Sequence, residues 1–296
     1  MRCGVLFLTL VAVLLSLGQA FQKLSSLSAA TDRKLSVLRQ SRLKALLTQD
    51  VGMTVFSFGA AYLWLDIWVR AANNGFDPKL SRKIIHSGSA PLFMLLWPLY
   101  SGEPGAKYVA AVVPFLQMVR LVYAGRLRTH PTQPPHHKDA TVGAAPMMDG
   151  GIAKAISRSG SPQEAIQGPL IYTVVLLVCT AVFFRHSAVG VVAVLQMAMG
   201  DGLADIVGRR FGKRKWPFSD HKSYMGSLAF VLGSFVACTG ILALFSATGV
   251  LQLDVVAALP RILLISVICA AVELSEISDD NWTVPLAGGV AANLLL

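Results

Sequence analysis

A succession of long apolar segments, separated by mostly short polar connections, constrains the fold of this chain more than any other feature. Eight such segments lie at 51–69, 88–101, 107–124, 169–184, 188–207, 223–247, 260–272 and 282–296. About 20 apolar residues in a helix span the hydrocarbon core of a bilayer. Only 14% of the residues are charged, against roughly 25% in soluble domains. We therefore predict an all-α fold, a polytopic transmembrane helical bundle with seven or eight spans.

The first fifty residues have the composition of targeting sequences. Residues 1–20 combine one base, a short apolar core and a small-residue end, which is typical of a signal peptide. Residues 21–50 are basic and rich in serine, as transit peptides are. This bipartite pattern predicts a plastid membrane, in particular that of a complex plastid. A secretory signal followed by a basic juxtamembrane segment, with location in the endoplasmic reticulum, is the alternative. Residues 51–296 would form the membrane domain, with a polar loop at 125–168.

Basic residues fall almost entirely on one side of the predicted membrane. If eight spans alternate, the connections 70–87, 125–168, 208–222 and 273–281 share one face, here called the basic face, and carry fifteen Lys and Arg residues. Three bases, Lys107, Arg185 and Arg261, lie in or beside the connections of the opposite face. The positive-inside tendency places the basic face toward the compartment of synthesis. The net charge of +10 is thus explained by topology and phosphate binding, and we predict no nucleic-acid partner.

Two carboxylates stand at the basic end of the segment 188–207. Asp201 and Asp205 are four residues apart and share one face of a helix. Ionisable residues inside a span are functional-site candidates by default. Carboxylates together with substrate phosphates are typical Mg²⁺ ligands, so we predict Asp201 and Asp205 as metal ligands. The alternative is that each acid neutralises a base on a neighbouring helix.

A basic stretch follows these acids at once. It predicts nucleotide binding through phosphate contacts, because guanidinium and ammonium groups bind phosphate oxygens. The stretch is not a P-loop, since its glycines are one residue too close together and Arg214 replaces the hydroxyl residue. Its glycines also suit close helix packing equally well. The residues assigned here to nucleotide binding are Gly208, Gly212, Lys213, Arg214 and Lys222.

Two further polar clusters are predicted on the basic face. The sequence LSRKIIHSG contains Arg82, Lys83 and His86, and His86 is a candidate general base or phosphate ligand. Anchoring at the membrane interface explains Arg82 and Lys83 equally well. The sequence VELSEISDDNW contains Asp279 and Asp280, which are candidates for orienting a hydroxyl or holding a second metal ion. An ordinary helix N-cap is the alternative for these two acids.

These clusters resemble the phytol kinase family, within the wider group of CTP-dependent polyprenol and lipid kinases. The stretches that carry the resemblance are SRKIIHSGSAPLFMLLWPLYSG, KAISRSGSPQEAIQGPLIYTVVLL, GDGLADIVGRRFGKRKWPFSDHKSYMGS and DDNWTVPLA. They cover the chain from about residue 80 onward, with the long loop as the poorest match. The resemblance implies a plastid-membrane enzyme that phosphorylates phytol with CTP, or sometimes UTP, and Mg²⁺, and so feeds tocopherol synthesis. It also implies a role in nucleotide binding for Gly202, which lies between the two acids in the segment that the family associates with activity and CTP use.

Other functions remain open at this stage. A kinase acting on farnesol or dolichol would share these motifs. A phosphatidate cytidylyltransferase is the nearest rival, because GRRFGK with a later Lys and Gly-Ser resembles part of its pattern, although its HGG-type element is not found here. A transporter with an acidic ion path is disfavoured, since the polar motifs gather at one face and not at the midplane. In every enzymatic reading, the partners are an isoprenoid or lipid substrate, a nucleoside triphosphate and the bilayer.

Overall fold

Nine helices make up most of the described part of the chain, residues 33–126, 162–275 and 279–296 of a computed structural model. They are α1 (Arg33–Asn73), α2 (Pro78–Leu95), α3 (Ala106–Arg126), α4 (Pro162–Val182), α5 (Ala188–Leu195), α6 (Gly202–Phe211), α7 (Tyr224–Ala247), α8 (Val255–Leu274) and α9 (Asp280–Leu295). Short 3₁₀ turns occupy Trp97–Leu99 and Phe184–His186, and Gln196–Asp201 is a π-helical turn joining α5 to α6. The described residues contain no strand beyond an isolated bridge between Lys215 and Ser223.

Polar residues at the starts of these helices determine where they begin. Asp77 accepts a hydrogen bond from the Lys79 amide before α2, with Pro78 in the first turn. Ser223 and Asp254 cap α7 and α8 in the same way. Capping oxygens satisfy amides that have no partner in the first helical turn. These caps allow each of the three helices to begin directly after a polar connection.

Five helical stretches are long and apolar enough to cross a bilayer: Leu46–Asn73, Ala106–Tyr123, Ala188–Phe211, Tyr224–Ala247 and Val255–Leu274. A shorter apolar helix covers Gly168–Val182. The described residues thus confirm the all-α membrane bundle, whereas the count of seven or eight spans stays a prediction. The predicted signal peptide at 1–20, part of the transit-like segment at 21–50 and most of the loop at 125–168 lie outside the described residues.

The stretch Ala188–Phe211 is the centre of the bundle. In the most apolar part of this stretch, 67% of the residues are buried, compared with 33% in α7 and α8 and 6% in α1. Val191, Val192, Val194, Leu195 and Met197 are fully buried within it. The helices α7, α8 and α9 pack around this stretch. Its polar end at Asp201 therefore lies inside protein and not in lipid.

The chain divides into two compact units, residues 1–46 and residues 47–296. Only the helical stretch from Arg33 is described in the first unit. The second unit contains every predicted site residue. The fold relevant to the site is therefore that of residues 47–296.

Arg185 holds the end of the bundle that is opposite to the predicted site. Its side chain is 5% exposed. Its guanidinium donates to the carbonyl oxygens of Trp97 at 3.1 Å, Pro98 at 3.1 Å, Tyr100 at 2.8 Å and Ser101 at 2.5 Å. Carbonyls at and after a helix end lack intrahelical partners, and one side chain from the turn after α4 hydrogen-bonds to four of them here. The Trp97 carbonyl also accepts from the Tyr100 amide at 3.2 Å.

We expect Arg185→Met to destabilise the protein by at least about 2 kcal/mol, because buried carbonyls would lose charge-assisted hydrogen bonds while the chain length of the residue is kept. The measurement is the midpoint of thermal unfolding in detergent. Arg261→Met is the matched control, since the exposed Arg261 guanidinium contacts a single carbonyl, that of Leu295, at 3.4 Å. Equal midpoints for the two variants would contradict this role of Arg185.

Candidate active site

The π-helical turn Gln196–Asp201 shapes the polar end of the central helix. Such turns insert a residue into a helix and are frequent at functional sites, because they disturb the regular carbonyl pairing. Here the Met197 carbonyl oxygen lies 3.3 Å from Nε2 of His86. The same nitrogen lies 3.3 Å from Oδ2 of Asp201. The turn thus brings a backbone acceptor and a carboxylate to one imidazole nitrogen.

Lys83 and Asp201 form a buried ion pair between α2 and the central helix. The Lys83 Nζ atom is 2.9 Å from Oδ2 of Asp201 and 4.0 Å from Oδ2 of Asp205. Lys83 is 5% exposed and Asp201 is 9% exposed. Removing one partner of a buried pair leaves an uncompensated charge, so the two residues depend on each other. The structure therefore shows the pairing with a neighbouring base that the sequence left open as an alternative to metal binding.

Close contact between α2 and α6 makes this pair possible. A Cβ atom at Gly202 would lie 1.9 Å from Oγ and 2.9 Å from Cβ of Ser87. A Cβ at Gly212 would similarly meet the Gly208 carbonyl and Ser223 Oγ, both at 2.2 Å. Helix and loop packing thus accounts for Gly202 and Gly212, while their predicted contacts with a nucleotide stay predictions.

Two further acids, Glu273 on α8 and Asp280 on α9, lie beside Asp201. One carboxylate oxygen from each of Asp201, Glu273 and Asp280 lies within 4.8 Å of the others. The Lys222 ammonium donates to Glu273, and its Nζ lies 3.2 Å from Oδ2 of Asp280. Burial disfavours the ammonium, but these carboxylates outweigh burial, so the pKa of Lys222 is raised above its ordinary value. Lys222 therefore stays charged and balances the acids.

The chemistry of this donor set fits a divalent cation. Mg²⁺ prefers oxygen ligands and binds through a small number of carboxylates together with substrate oxygens. The three carboxylates come from three different helical elements, the π-helical turn, α8 and α9. Asp205 has a different surrounding, since Arg209 donates to its Oδ1 atom at 2.9 Å. The predicted pair Asp201 and Asp205 stays a prediction, and the geometry adds Glu273 and Asp280 as candidate ligands.

A basic loop runs from Gly212 to Ser223 beside the acid cluster. The Trp216 amide donates to the Lys222 carbonyl at 3.1 Å, which closes the loop into a hairpin. Lys213 and Arg214 are exposed on it. The Arg214 guanidinium lies 5.2 Å from the centre of the Tyr224 ring. The loop therefore presents exposed cationic side chains next to carboxylates that suit a metal ion, as a phosphate site requires.

The remaining predicted residues lie nearby in different roles. Asp279 is exposed and caps α9 by accepting from the Asn281 amide at 2.9 Å. This matches the alternative expected for it, and the structure places its neighbour Asp280 in the charged cluster. Arg82 is half-buried on α2, and Gly208 packs near Ser223 and Gly226. Catalytic roles for Arg82 and Asp279 stay predictions.

Two functional candidates were underestimated or missed by sequence reasoning. Glu273 ends an apolar run in the stretch VELSEISDDNW and is not among the predicted site residues, although it contacts Lys222 directly. Tyr172 is not among the predicted site residues either, yet the centroid of its ring lies 4.5 Å from that of the His86 ring. An apolar run that contains one tyrosine carries no signal of this contact. Buried acids at the ends of spans do carry one.

Comparison with known proteins finds relatives that match most of the chain. The chain is 35% identical over 245 residues to "Probable phytol kinase 1, chloroplastic" of Glycine max, which covers 81% of this chain and 75% of the relative. It is 35% identical over 252 residues to "Phytol kinase 1, chloroplastic" of Arabidopsis thaliana, covering 84% and 77%. It is 37% identical over 252 residues to "Probable phytol kinase, chloroplastic" of Zea mays, covering 83% and 77%.

Other comparisons add no further assignment. No family model matches the chain. No solved structure matches it either. The matches to the plant proteins extend over most of both partners, 81% and 84% of this chain and 75% and 77% of the two relatives. The chain therefore belongs to the phytol kinase family.

Proposed function

We propose that the protein transfers the terminal phosphoryl group of CTP to the hydroxyl of phytol, with Mg²⁺ as cofactor, in a plastid membrane. The product, phytyl phosphate, would serve tocopherol synthesis. One observation carries the proposal: Asp201, Glu273 and Asp280 converge with Lys83, His86 and Lys222 at one end of the central membrane helix. Relatives named as chloroplastic phytol kinases support the choice of alcohol and of compartment.

The position of the cluster suits a lipid alcohol and a water-borne nucleotide. A long isoprenoid tail gains about 0.8 kcal/mol for each CH₂ removed from water, so the substrate stays in the bilayer. Exposed apolar side chains on α3 and α7, such as Phe115 and Leu232, offer a surface for lipid. The exposed loop at Gly212–Ser223 is open to water. The hydroxyl and the phosphates would therefore meet at the end of the central helix.

Each residue of the cluster has its own role in phosphoryl transfer, a reaction that depends on positioning and charge neutralisation. Lys213 and Arg214 bind phosphate oxygens, and Lys83 keeps Asp201 in place. Mg²⁺ held by Asp201 with Glu273 and Asp280 would neutralise charge on the phosphates. His86 accepts the hydroxyl proton as the alcohol oxygen bonds to phosphorus. The bond to the nucleoside diphosphate breaks, and its electron pair leaves with CDP.

The membrane topology belongs to the same proposal. The five long apolar helical stretches would be joined as spans by α2, α4 and α9, which gives eight crossings. With eight crossings, Lys83, Asp201, Lys222 and Asp280 all fall on the basic face. The positive-inside tendency then orients that face toward the compartment where the protein is made.

We expect the purified protein in lipid vesicles to convert phytol and CTP into phytyl phosphate and CDP, and to need Mg²⁺. The measurement is product analysis with labelled CTP, UTP and ATP against phytol, geranylgeraniol, farnesol and dolichol. Preference for another alcohol or nucleotide would correct the substrate. Pyrophosphate and a CDP-lipid as products would instead identify a cytidylyltransferase, and alcohol-independent ion flux would identify a transporter.

We expect Asp201→Asn to lower kcat/KM by about 100-fold or more, because it removes a carboxylate that would hold the Mg²⁺ ion stabilising the phosphates and leaves the buried Lys83 without its charged partner. Asp280→Asn should also lose activity, and Asp279→Asn should lose less, because asparagine can still cap α9. Asp254→Asn is the matched control, since Asp254 caps α8 by accepting from the Ala257 amide, far from the site in sequence. Turnover of Asp201→Asn at the wild-type level would refute the assignment of Asp201.

A further inference from the structure

A tyrosine hydroxyl is hydrogen-bonded to the backbone of α2 beside His86. The Ala90 amide donates to Oη of Tyr172 at 3.1 Å, and the Tyr172 hydroxyl donates to the His86 carbonyl at 3.0 Å. These two backbone groups are four residues apart, and a regular helix joins such groups directly. The hydroxyl of a side chain on α4 thus bridges them.

Pro91 explains why this turn of α2 accepts a side chain. It lies inside the helix, directly after Ala90. A proline in a helix has no amide hydrogen, and its ring crowds the carbonyl four residues earlier, which here is that of Ser87. Side chains can enter a helix where the ladder of hydrogen bonds is opened in this way. Tyr172 is 7% exposed, so its hydroxyl needs these partners.

The ring of Tyr172 acts on the side chain of the same histidine. The centroids of the Tyr172 and His86 rings are 4.5 Å apart, with an angle of 47° between the planes. One residue of α4 therefore holds both the backbone and the imidazole ring of His86. Rotation of the imidazole would break this ring contact and the contacts at Nε2.

The groups around Nε2 decide which nitrogen of His86 carries the proton. The Met197 carbonyl oxygen and Oδ2 of Asp201, each 3.3 Å away, are both acceptors. A carbonyl and a carboxylate at one nitrogen require that this nitrogen carries hydrogen. In the neutral imidazole the lone pair then lies on Nδ1, at another edge of the ring.

We propose that Tyr172 is the positioning residue of His86, and that it orients the ring so that Nδ1 receives the proton of the substrate hydroxyl. The inference rests on the proposed kinase function and extends it to one atom. In the transfer step the O–H bond breaks and its proton moves to Nδ1. The alcohol oxygen bonds to the terminal phosphorus, and the leaving oxygen keeps the electron pair as nucleoside diphosphate.

Tyr172→Phe tests the role of the hydroxyl, because phenylalanine keeps the ring against His86 and removes only the bridge. We expect kcat to fall by about 10-fold or more, as partial loss of general-base catalysis, while KM for the nucleotide is unchanged. Tyr100→Phe is the matched control. Its hydroxyl lies 3.3 Å from Oγ1 of Thr54 and 3.2 Å from Oγ of Ser57, at the opposite end of the bundle. A kcat of Tyr172→Phe equal to that of the control would overturn the proposal.

A double-mutant cycle separates positioning from a general structural role. If Tyr172 acts through His86, the pair His86→Ala with Tyr172→Phe loses no more kcat than His86→Ala alone. Independent losses that multiply in the double variant would overturn the proposal.

A readout that needs no turnover distinguishes failure of this inference from failure of the proposed function. Nitrogen NMR of histidine-labelled protein in detergent, with His86→Ala to assign the signal, reports which ring nitrogen is protonated. We expect hydrogen on Nε2 alone in the wild type and a mixture of tautomers in Tyr172→Phe. Hydrogen on Nδ1 in the neutral wild-type ring would overturn the inference even if phytol is phosphorylated. An inactive wild type with the expected tautomer would refute only the kinase reaction.

Discussion

The buried ion pair between Lys83 and Asp201 is the interaction on which the site depends. Two charges inside a membrane bundle are costly to desolvate, and each is tolerated only because the other is 2.9 Å away. This contact joins α2 to the most buried helix of the bundle. It also leaves the Asp201 carboxylate within reach of His86, Glu273 and Asp280. Packing of the central helix and the chemistry of the site are thereby coupled through one carboxylate.

The two helices that flank the Asp201 carboxylate are both irregular near it. The central helix widens into a π-helical turn, and α2 contains Pro91 one turn beyond His86. Each irregularity releases backbone groups, which must find other partners in a medium without water. His86 reaches the Met197 carbonyl, and Tyr172 bridges His86 and Ala90. Irregular backbone is therefore concentrated where side chains need precise orientation.

At the opposite end of the bundle, side chains also bind backbone groups that lack helical partners, and there they serve stability. There Arg185 supplies the turn after α2 with four hydrogen bonds, and Asp50 accepts from the Ser101 amide and hydroxyl, both at 2.7 Å. A polar cluster at a membrane boundary is thus not by itself a sign of catalysis. The site end differs because three carboxylates, those of Asp201, Glu273 and Asp280, converge there beside two ammonium groups, those of Lys83 and Lys222.

Sequence alone determined the class of the molecule. The lengths of the apolar runs require helices in a membrane, and the distribution of bases places the motifs on one face. It also identified the residue types that matter, and the motifs pointed to the family. Tertiary structure alone decided which of these residues meet. Spacing by four residues relates Asp201 to Asp205 on one helix, but the contacts of Asp201 with Glu273 and Asp280 depend on how separate helices cross. The role of Tyr172 depends on the same crossing, because a hydrophobic run gives no sign of which neighbour its one tyrosine will reach.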